Sequence, residues 1–84
     1  MELINVIQAK YIEDFKILLE FNNGVSGIID LQPYLEGEIF QPLKDINFFK
    51  NFKLDSWTIY WENGADFAPE FLYDIIIKQE KNVG

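Results

Sequence analysis

The feature that most restricts the fold of this chain is a pair of alternating segments joined by Asn22-Asn23-Gly24. Before this turn, apolar side chains occupy every second position, which is typical of a half-buried strand: Phe15, Ile17, Leu19 and Phe21. Asn-Gly supplies the positive φ angles of a tight type I′ turn. We therefore predict that the chain folds directly back into a second strand over residues 25–31. A similar alternation over residues 3–11 predicts an earlier strand that turns at Glu13-Asp14.

The middle of the chain contains breakers and one short helical pattern. Pro33 and Gly37 indicate that residues 32–37 form a loop or a single helical turn. Leu43, Ile46 and Phe49 then recur at a spacing of three residues. This spacing predicts a short helix over residues 46–51, with Asp45 as its N-cap.

The C-terminal part predicts two further strands and a helix. Phe52 and Leu54 indicate a short strand that turns at Asp55-Ser56, and Trp57, Ile59 and Trp61 then alternate with polar residues. We expect these three side chains to pack under a helix from Pro69 to Lys78. One face of this helix carries Leu72, Ile75 and Ile76, and Gln79 follows on the same face.

The order of these elements is β-β-β-α-β-β-α, which lacks the regular alternation of a doubly wound sheet. We predict an α+β fold with a mostly antiparallel sheet and helices packed on one face. The 84 residues fit one domain, residues 1–84. Residues 79–84 are expected to form a mobile tail because they contain little apolar surface.

The charge balance excludes several classes of function. The chain contains fourteen acidic residues and seven lysines, and it contains no Arg, His or Cys. A net charge of −7 repels phosphate backbones, so we expect no direct nucleic-acid binding. The missing His and Cys remove common catalytic bases, nucleophiles and metal ligands. No apolar run approaches the length of a membrane span and no signal peptide is recognisable, so we expect a cytoplasmic protein. We also expect no cofactor.

The segment from Trp61 to Tyr73 combines a strand end, a turn and a helix start. We interpret it as a structural junction in which Trp61 anchors the core and Asn63-Gly64 turns the chain. Asp66 is expected to bond backbone N–H groups at the helix entrance, and Pro69 is expected in the first helical turn.

Acidic and aromatic residues around this junction form the candidate surface. Carboxylates recur every four residues at Glu62, Asp66, Glu70 and Asp74, and a hard cation is one conceivable ligand. Solvated structural acids are the simpler interpretation, because Glu62 precedes the turn and does not share the helix. We predict no catalytic or metal-binding residue. The expected interaction surface comprises Glu62, Glu70, Asp74, Tyr34 and Tyr60.

Four segments together resemble the DUF2442 family of small bacterial domains. They are Phe21–Gly24, Ile29–Leu35, Phe40–Asp45 and Ile59–Tyr73, which includes Trp-x-Asn-Gly-Ala-Asp-x-x-Pro-Glu-x-Leu-Tyr. The resemblance implies a compact α+β domain and provides no catalytic residues. Family members are often encoded beside another small protein, in an arrangement similar to toxin–antitoxin pairs. The resemblance therefore implies a non-enzymatic interaction module that is the acidic partner of a small basic protein encoded nearby. A homo-oligomer is also possible. The alternative is a small enzyme or metal-binding domain that uses Glu62, Asp66 and Glu70.

Overall fold

Over residues 3–81, the strands form two antiparallel sheets instead of one. The computed structural model describes residues 3–81, with side chains described over residues 3–79. The elements are β1 Val6–Glu13, β2 Lys16–Phe21, β3 Ser26–Asp30, α1 Ile46–Phe49, β4 Lys53–Leu54, β5 Ile59–Tyr60 and α2 Pro69–Lys81. Two 3-10 helices, Gln32–Tyr34 and Glu38–Lys44, lie between β3 and α1. The sheets have the orders β1-β2-β3 and β4-β5, so the predicted α+β class is confirmed.

The first strand begins and ends later than residues 3–11, which the alternation predicted. β1 starts at Val6, and the residues before it bond to the backbone and the side chain of Asn22, just beyond the end of β2. The Asn22 amide nitrogen donates to the Leu3 carbonyl at 2.8 Å, and its oxygen accepts from the Asn5 N–H at 3.1 Å. β1 then continues to Glu13 and turns at Asp14, which has a φ of 47°.

The β2–β3 hairpin forms as predicted, but its turn is not type I′. The Gly24 N–H donates to the Phe21 carbonyl at 3.0 Å, which places Asn22 and Asn23 at the central positions. Neither asparagine has a positive φ, whereas Gly24 has a φ of 88°. The Asn23 carboxamide oxygen accepts from the Val25 N–H at 3.1 Å and so stabilises this three-residue loop.

One face of the three-stranded sheet carries the core. Ile17 lies opposite Ile29 and Leu19 lies opposite Gly27, and all except Gly27 are fully buried. α2 crosses this face at Gly27, where an added Cβ would come within 2.8 Å of the Cγ2 atom of Ile76. The glycine therefore allows the close approach of helix and sheet.

The helix α1 covers another part of the same sheet face. The Phe49 ring centroid lies 5.2 Å from that of Phe15, and Phe49 is fully buried. The Asp45 carboxylate accepts from the Asn47 N–H at 3.0 Å, so the predicted N-cap is confirmed. The α-helix ends at Phe49 instead of Asn51, and Leu43 belongs to the preceding 3-10 helix.

The prediction that Trp57 packs under the last helix is wrong. Ile59 and Trp61 are buried, but Trp57 is 50% exposed. The Asp55 carboxylate accepts hydrogen bonds from the N–H groups of Trp57 and Thr58, at 2.7 and 2.8 Å. Trp57 is therefore part of the turn, and the alternation of buried positions begins only at Ile59.

The final helix continues beyond its predicted end at Lys78 and includes Gln79. The Gln79 amide nitrogen donates to the Ile28 carbonyl at 3.0 Å, which links α2 to β3. Of the predicted tail, residues 82–84 lie outside the described part of the chain. Over the described residues, no helix has the length and apolar character needed to cross a membrane.

Candidate functional site

The turn at Gly64 repeats the hydrogen bonds of the β2–β3 turn. The Gly64 N–H donates to the Trp61 carbonyl at 3.0 Å, and the Trp61 N–H donates to the Ala65 carbonyl at 2.8 Å. Gly64 has a φ of 91°, a left-handed conformation that favours glycine. The Asn63 side chain accepts from the Ala65 N–H and donates to the Ile39 carbonyl, at 3.1 and 2.8 Å. It therefore ties the turn to the second 3-10 helix.

The Trp61 side chain is part of the core. It is 1% exposed, and its indole N–H donates to the Phe49 carbonyl at 2.7 Å. Its ring centroid lies 5.6 Å from that of Phe49 and 6.0 Å from that of Phe67. Trp61 therefore positions α1 and the segment before α2 and presents no surface to a ligand.

Asp66 does not cap the final helix as expected. Its backbone forms an antiparallel bridge with Tyr60, and within residues 3–81 its carboxylate makes no hydrogen bond to a backbone N–H. The helix begins three residues later, at Pro69, and the Ala68 carbonyl accepts from the Leu72 N–H. Asp66 is therefore too far upstream of the first turn, and its exposed carboxylate borders a cavity instead.

A cavity of about 510 Å³ lies beside the start of α2. Its lining comes from the first 3-10 helix and the loop after it, the second 3-10 helix, and the chain entering α2. We call it the aromatic groove, and its residues are Pro33, Tyr34, Glu36, Phe40, Asp66, Phe67, Ala68 and Phe71.

Four aromatic rings form the walls of the groove. Phe67 stacks on Phe40 at a centroid distance of 4.9 Å and on Phe71 at 5.8 Å. The Tyr34 ring meets Phe71 edge to face at 5.3 Å. Phe67 is buried, and a hydrogen bond of 2.6 Å from the Thr58 hydroxyl holds its carbonyl. Tyr34 and Phe71 are 37% and 40% exposed, so aromatic surface remains open to solvent.

The charged residues of the groove are both acidic. Glu36 and Asp66 are exposed, and we call this pair the acidic rim. A second cavity of about 330 Å³ adjoins the groove and shares Tyr34 and Phe71 with it. Asp74 and Lys78 line this second cavity and form an ion pair at 3.0 Å, which offsets their charges locally. Glu36 and Asp66 take part in neither ion pair found over the described residues, so the acidic rim keeps its negative charge.

A family model decides the classification of the chain. Residues 6–78 match the model of DUF2442, described as a protein of unknown function. The chain belongs to the DUF2442 family. No curated protein and no solved structure matches it.

The predicted interaction surface of this DUF2442 domain is not one patch around the groove. Tyr34 lines both cavities and Asp74 lines the second. Glu62 is exposed in the Gly64 turn, and Glu70 is exposed in the first turn of α2. Tyr60 is half-buried and pairs with Lys53. None of Glu62, Glu70 and Tyr60 lines the two cavities.

The carboxylates of this DUF2442 domain do not gather into a cation site over the part of the chain that the structure describes. There, no group of three or more acidic side chains is close enough to hold a metal ion. Glu62 and Glu70 lie on either side of the segment that enters α2, and Asp66 faces the groove.

Sequence reasoning assigned no surface role to six groove residues of this DUF2442 domain: Pro33, Glu36, Phe40, Phe67, Ala68 and Phe71. One signal was available, because Phe67 and Phe71 are four residues apart at a helix start, a spacing that brings side chains together. The positions of Tyr34 and Phe40 beside these residues could not be predicted from the sequence, since they depend on how the two 3-10 helices pack against α2.

Proposed function

We propose that this protein is a cytoplasmic, non-enzymatic interaction module that binds a small basic protein, as the acidic member of a pair similar to a bacterial toxin–antitoxin pair. The aromatic groove with its acidic rim carries this proposal. The apolar walls supply contact area, and Glu36 and Asp66 select against an acidic partner.

The composition of the groove is that of a protein interface. Interfaces are enriched in aromatic side chains at their centre and surrounded by polar groups. Tyr34 and Phe71 remain more than one third exposed although they pack edge to face. A partner that covers them removes aromatic surface from water without first breaking a polar interaction of these rings.

The charge of the whole chain supports a basic partner. A net charge of −7 attracts a positively charged protein over a distance of about 10 Å at moderate salt. The same charge disfavours DNA or RNA as a direct ligand. A role at DNA would therefore depend on the partner.

The alternative is a small enzyme or metal-binding domain built on Glu62, Asp66 and Glu70. Such a site needs carboxylates that converge, because a hard cation is held by several oxygen ligands. Over the described residues these carboxylates form no such group. The groove also opens widely to solvent and presents exposed carboxylates at its edge, which favours a macromolecular ligand.

Co-expression with the product of the adjacent gene tests the proposal. We expect a complex that co-purifies at low salt and weakens as salt is raised, because exposed charges are screened. Phe71→Ala should reduce recovery of the complex. Leu54→Ala is a matched control, since Leu54 has the same 40% exposure and lies in β4, outside both cavities. A failure to form any salt-sensitive complex would contradict the proposal.

A further inference from the structure

The two cavities share one aromatic pair and follow one side of α2. Tyr34 and Phe71 line both, the larger cavity extends toward Phe40 and Phe67, and the smaller extends along the helix. The helical residues involved are Phe71, Asp74, Ile75, Lys78 and Gln79, which recur at the three- and four-residue spacing of one helix face. A chain segment that lies along α2 therefore contacts both cavities while it passes over Phe71.

The larger cavity has the size and chemistry of an anchor site for a side chain. Its volume of about 510 Å³ is within the roughly 300–1,000 Å³ of small-molecule pockets, which leaves ample room for one large side chain. The stacking of Phe67 on Phe40 and Phe71 holds these rings in place, and the exposed surface of Tyr34 and Phe71 favours contact with an apolar or aromatic side chain. A cation is also attracted to the face of an aromatic ring.

The groove lacks the features of a site for a small polar molecule. Such sites contain a few precisely placed polar groups that orient the ligand. Within the described residues, no buried side-chain nitrogen or oxygen lacks a hydrogen-bond partner. The charged side chains at the larger cavity are the exposed Glu36 and Asp66, which suit lysine or arginine side chains at the mouth.

We propose that the groove receives a linear basic segment that packs one aromatic or large aliphatic side chain against Tyr34, Phe40 and Phe71. Lysine or arginine residues on either side of this anchor pair with Glu36 and Asp66. A second copy of this chain is a poor occupant, because two molecules of charge −7 bring like charges together. This inference rests on the proposed function and adds the chemistry of the bound segment.

A titration with short capped peptides, followed by amide NMR shifts of the full chain at low salt, tests this inference. The probes are Lys-Lys-Phe-Lys-Lys, Lys-Lys-Ala-Lys-Lys and Glu-Glu-Phe-Glu-Glu. We expect the first peptide to cause saturable shifts at Tyr34, Ala68 and Phe71. The alanine peptide should bind about tenfold more weakly, because burial of an aromatic anchor drives the difference. The acidic peptide should cause no saturable shift.

Three variants separate anchor binding from general charge attraction. Phe71→Ala should reduce the affinity of the phenylalanine peptide to that of the alanine peptide, while Leu54→Ala leaves it unchanged. Ala68→Lys keeps the aromatic walls, adds a positive charge at the exposed Ala68, and should weaken both lysine peptides. Equal affinities for the phenylalanine and alanine peptides, or shifts spread over acids outside the groove, would overturn the inference.

The outcomes also distinguish this inference from the proposed function. Suppose that the complex with the neighbouring gene product survives Phe71→Ala and that the peptides do not bind the groove. This outcome supports the proposed protein pair and rejects the anchor site. Peptide binding at the groove without any complex supports the anchor and rejects the pairing.

Discussion

The indole N–H of Trp61 donates a 2.7 Å hydrogen bond to the carbonyl oxygen of Phe49, and both residues are buried. This bond joins the end of the small sheet to α1. It also explains why the most aromatic part of the chain forms core instead of a binding surface, since the polar atom of the indole already has a buried partner. The aromatic surface available to a ligand is provided by Tyr34 and Phe71 instead.

Trp61→Phe should lower the free energy of unfolding by about 2 kcal/mol or more, because it leaves the buried Phe49 carbonyl without a donor and removes packed volume. Trp57→Phe is the matched control, and its effect should be within about 0.5 kcal/mol because Trp57 is half exposed. Urea unfolding followed by far-UV circular dichroism measures both. Equal shifts of the two midpoints would contradict the assigned role of the indole hydrogen bond.

Gly64→Ala should cost about 1 kcal/mol, because alanine is strained at the φ of 91° that Gly64 adopts. Apart from Gly64 and its two chain neighbours, no heavy atom of the described residues lies within 4 Å of the added Cβ, so the cost comes from the local backbone. Gly64→Asn should retain more stability because asparagine tolerates the left-handed region. Thermal melts of the two variants test this ranking, and an unchanged melting curve for Gly64→Ala would show that the turn relaxes freely.

Gly27→Ala should destabilise the protein for a different reason. The new methyl group would lie 2.8 Å from Cγ2 of Ile76, so the Ile76 side chain, α2 or β3 must shift, at a cost of about 1–3 kcal/mol. In an Ile76→Ala background the same substitution should cost less, since the opposing methyl is gone. A double-mutant cycle in urea measures this coupling, and strictly additive effects would place the helix elsewhere.

Asp55 should contribute stability that depends on pH. Hydrogen bonds from the N–H groups of Thr58 and Trp57 lower the pKa of its carboxyl group in the folded state below the ordinary value of 3.8. The contribution is therefore complete above that ordinary value and is lost as the pH falls through the lower, folded-state pKa. The stability difference between the native chain and Asp55→Asn should be largest near neutral pH and should shrink in acid.

The control for this pH dependence is Glu62→Gln. It also removes one negative charge, but Glu62 is exposed and outside the Asp55 turn. Urea unfolding over a series of pH values compares the two variants. A difference for Asp55→Asn that persists unchanged in acid would exclude the ionised carboxylate as the stabilising acceptor.

Addition of Mg²⁺, Mn²⁺ or Ca²⁺ should leave the melting temperature unchanged at constant ionic strength. The described residues bring no three carboxylates together, and an ion stabilises the protein only if it binds the folded state preferentially. A rise that follows the ion concentration and disappears in Asp66→Asn would support the metal-binding alternative.

The strands could be predicted well because the signal for each is local. The alternation from Phe15 to Phe21 remains on one buried face, and Asp45 caps α1 as the spacing indicated. The predictions were wrong where a side chain, instead of the backbone, supplied a hydrogen-bond partner. Asn23 changed the turn type through its bond to the Val25 N–H, and Asp55 drew Trp57 into a turn.

The sequence alone was enough to predict the α+β class, the order of the strands and final helix, the acidic character and the family. These properties depend on short-range periodicity, turn residues and composition. Which aromatic side chains are buried, and which remain open to a partner, depends on how the elements pack in three dimensions. The aromatic groove combines Tyr34, Phe40 and Phe71 from three separated segments, and their approach depends on long-range packing against a shared core, which no local spacing encodes.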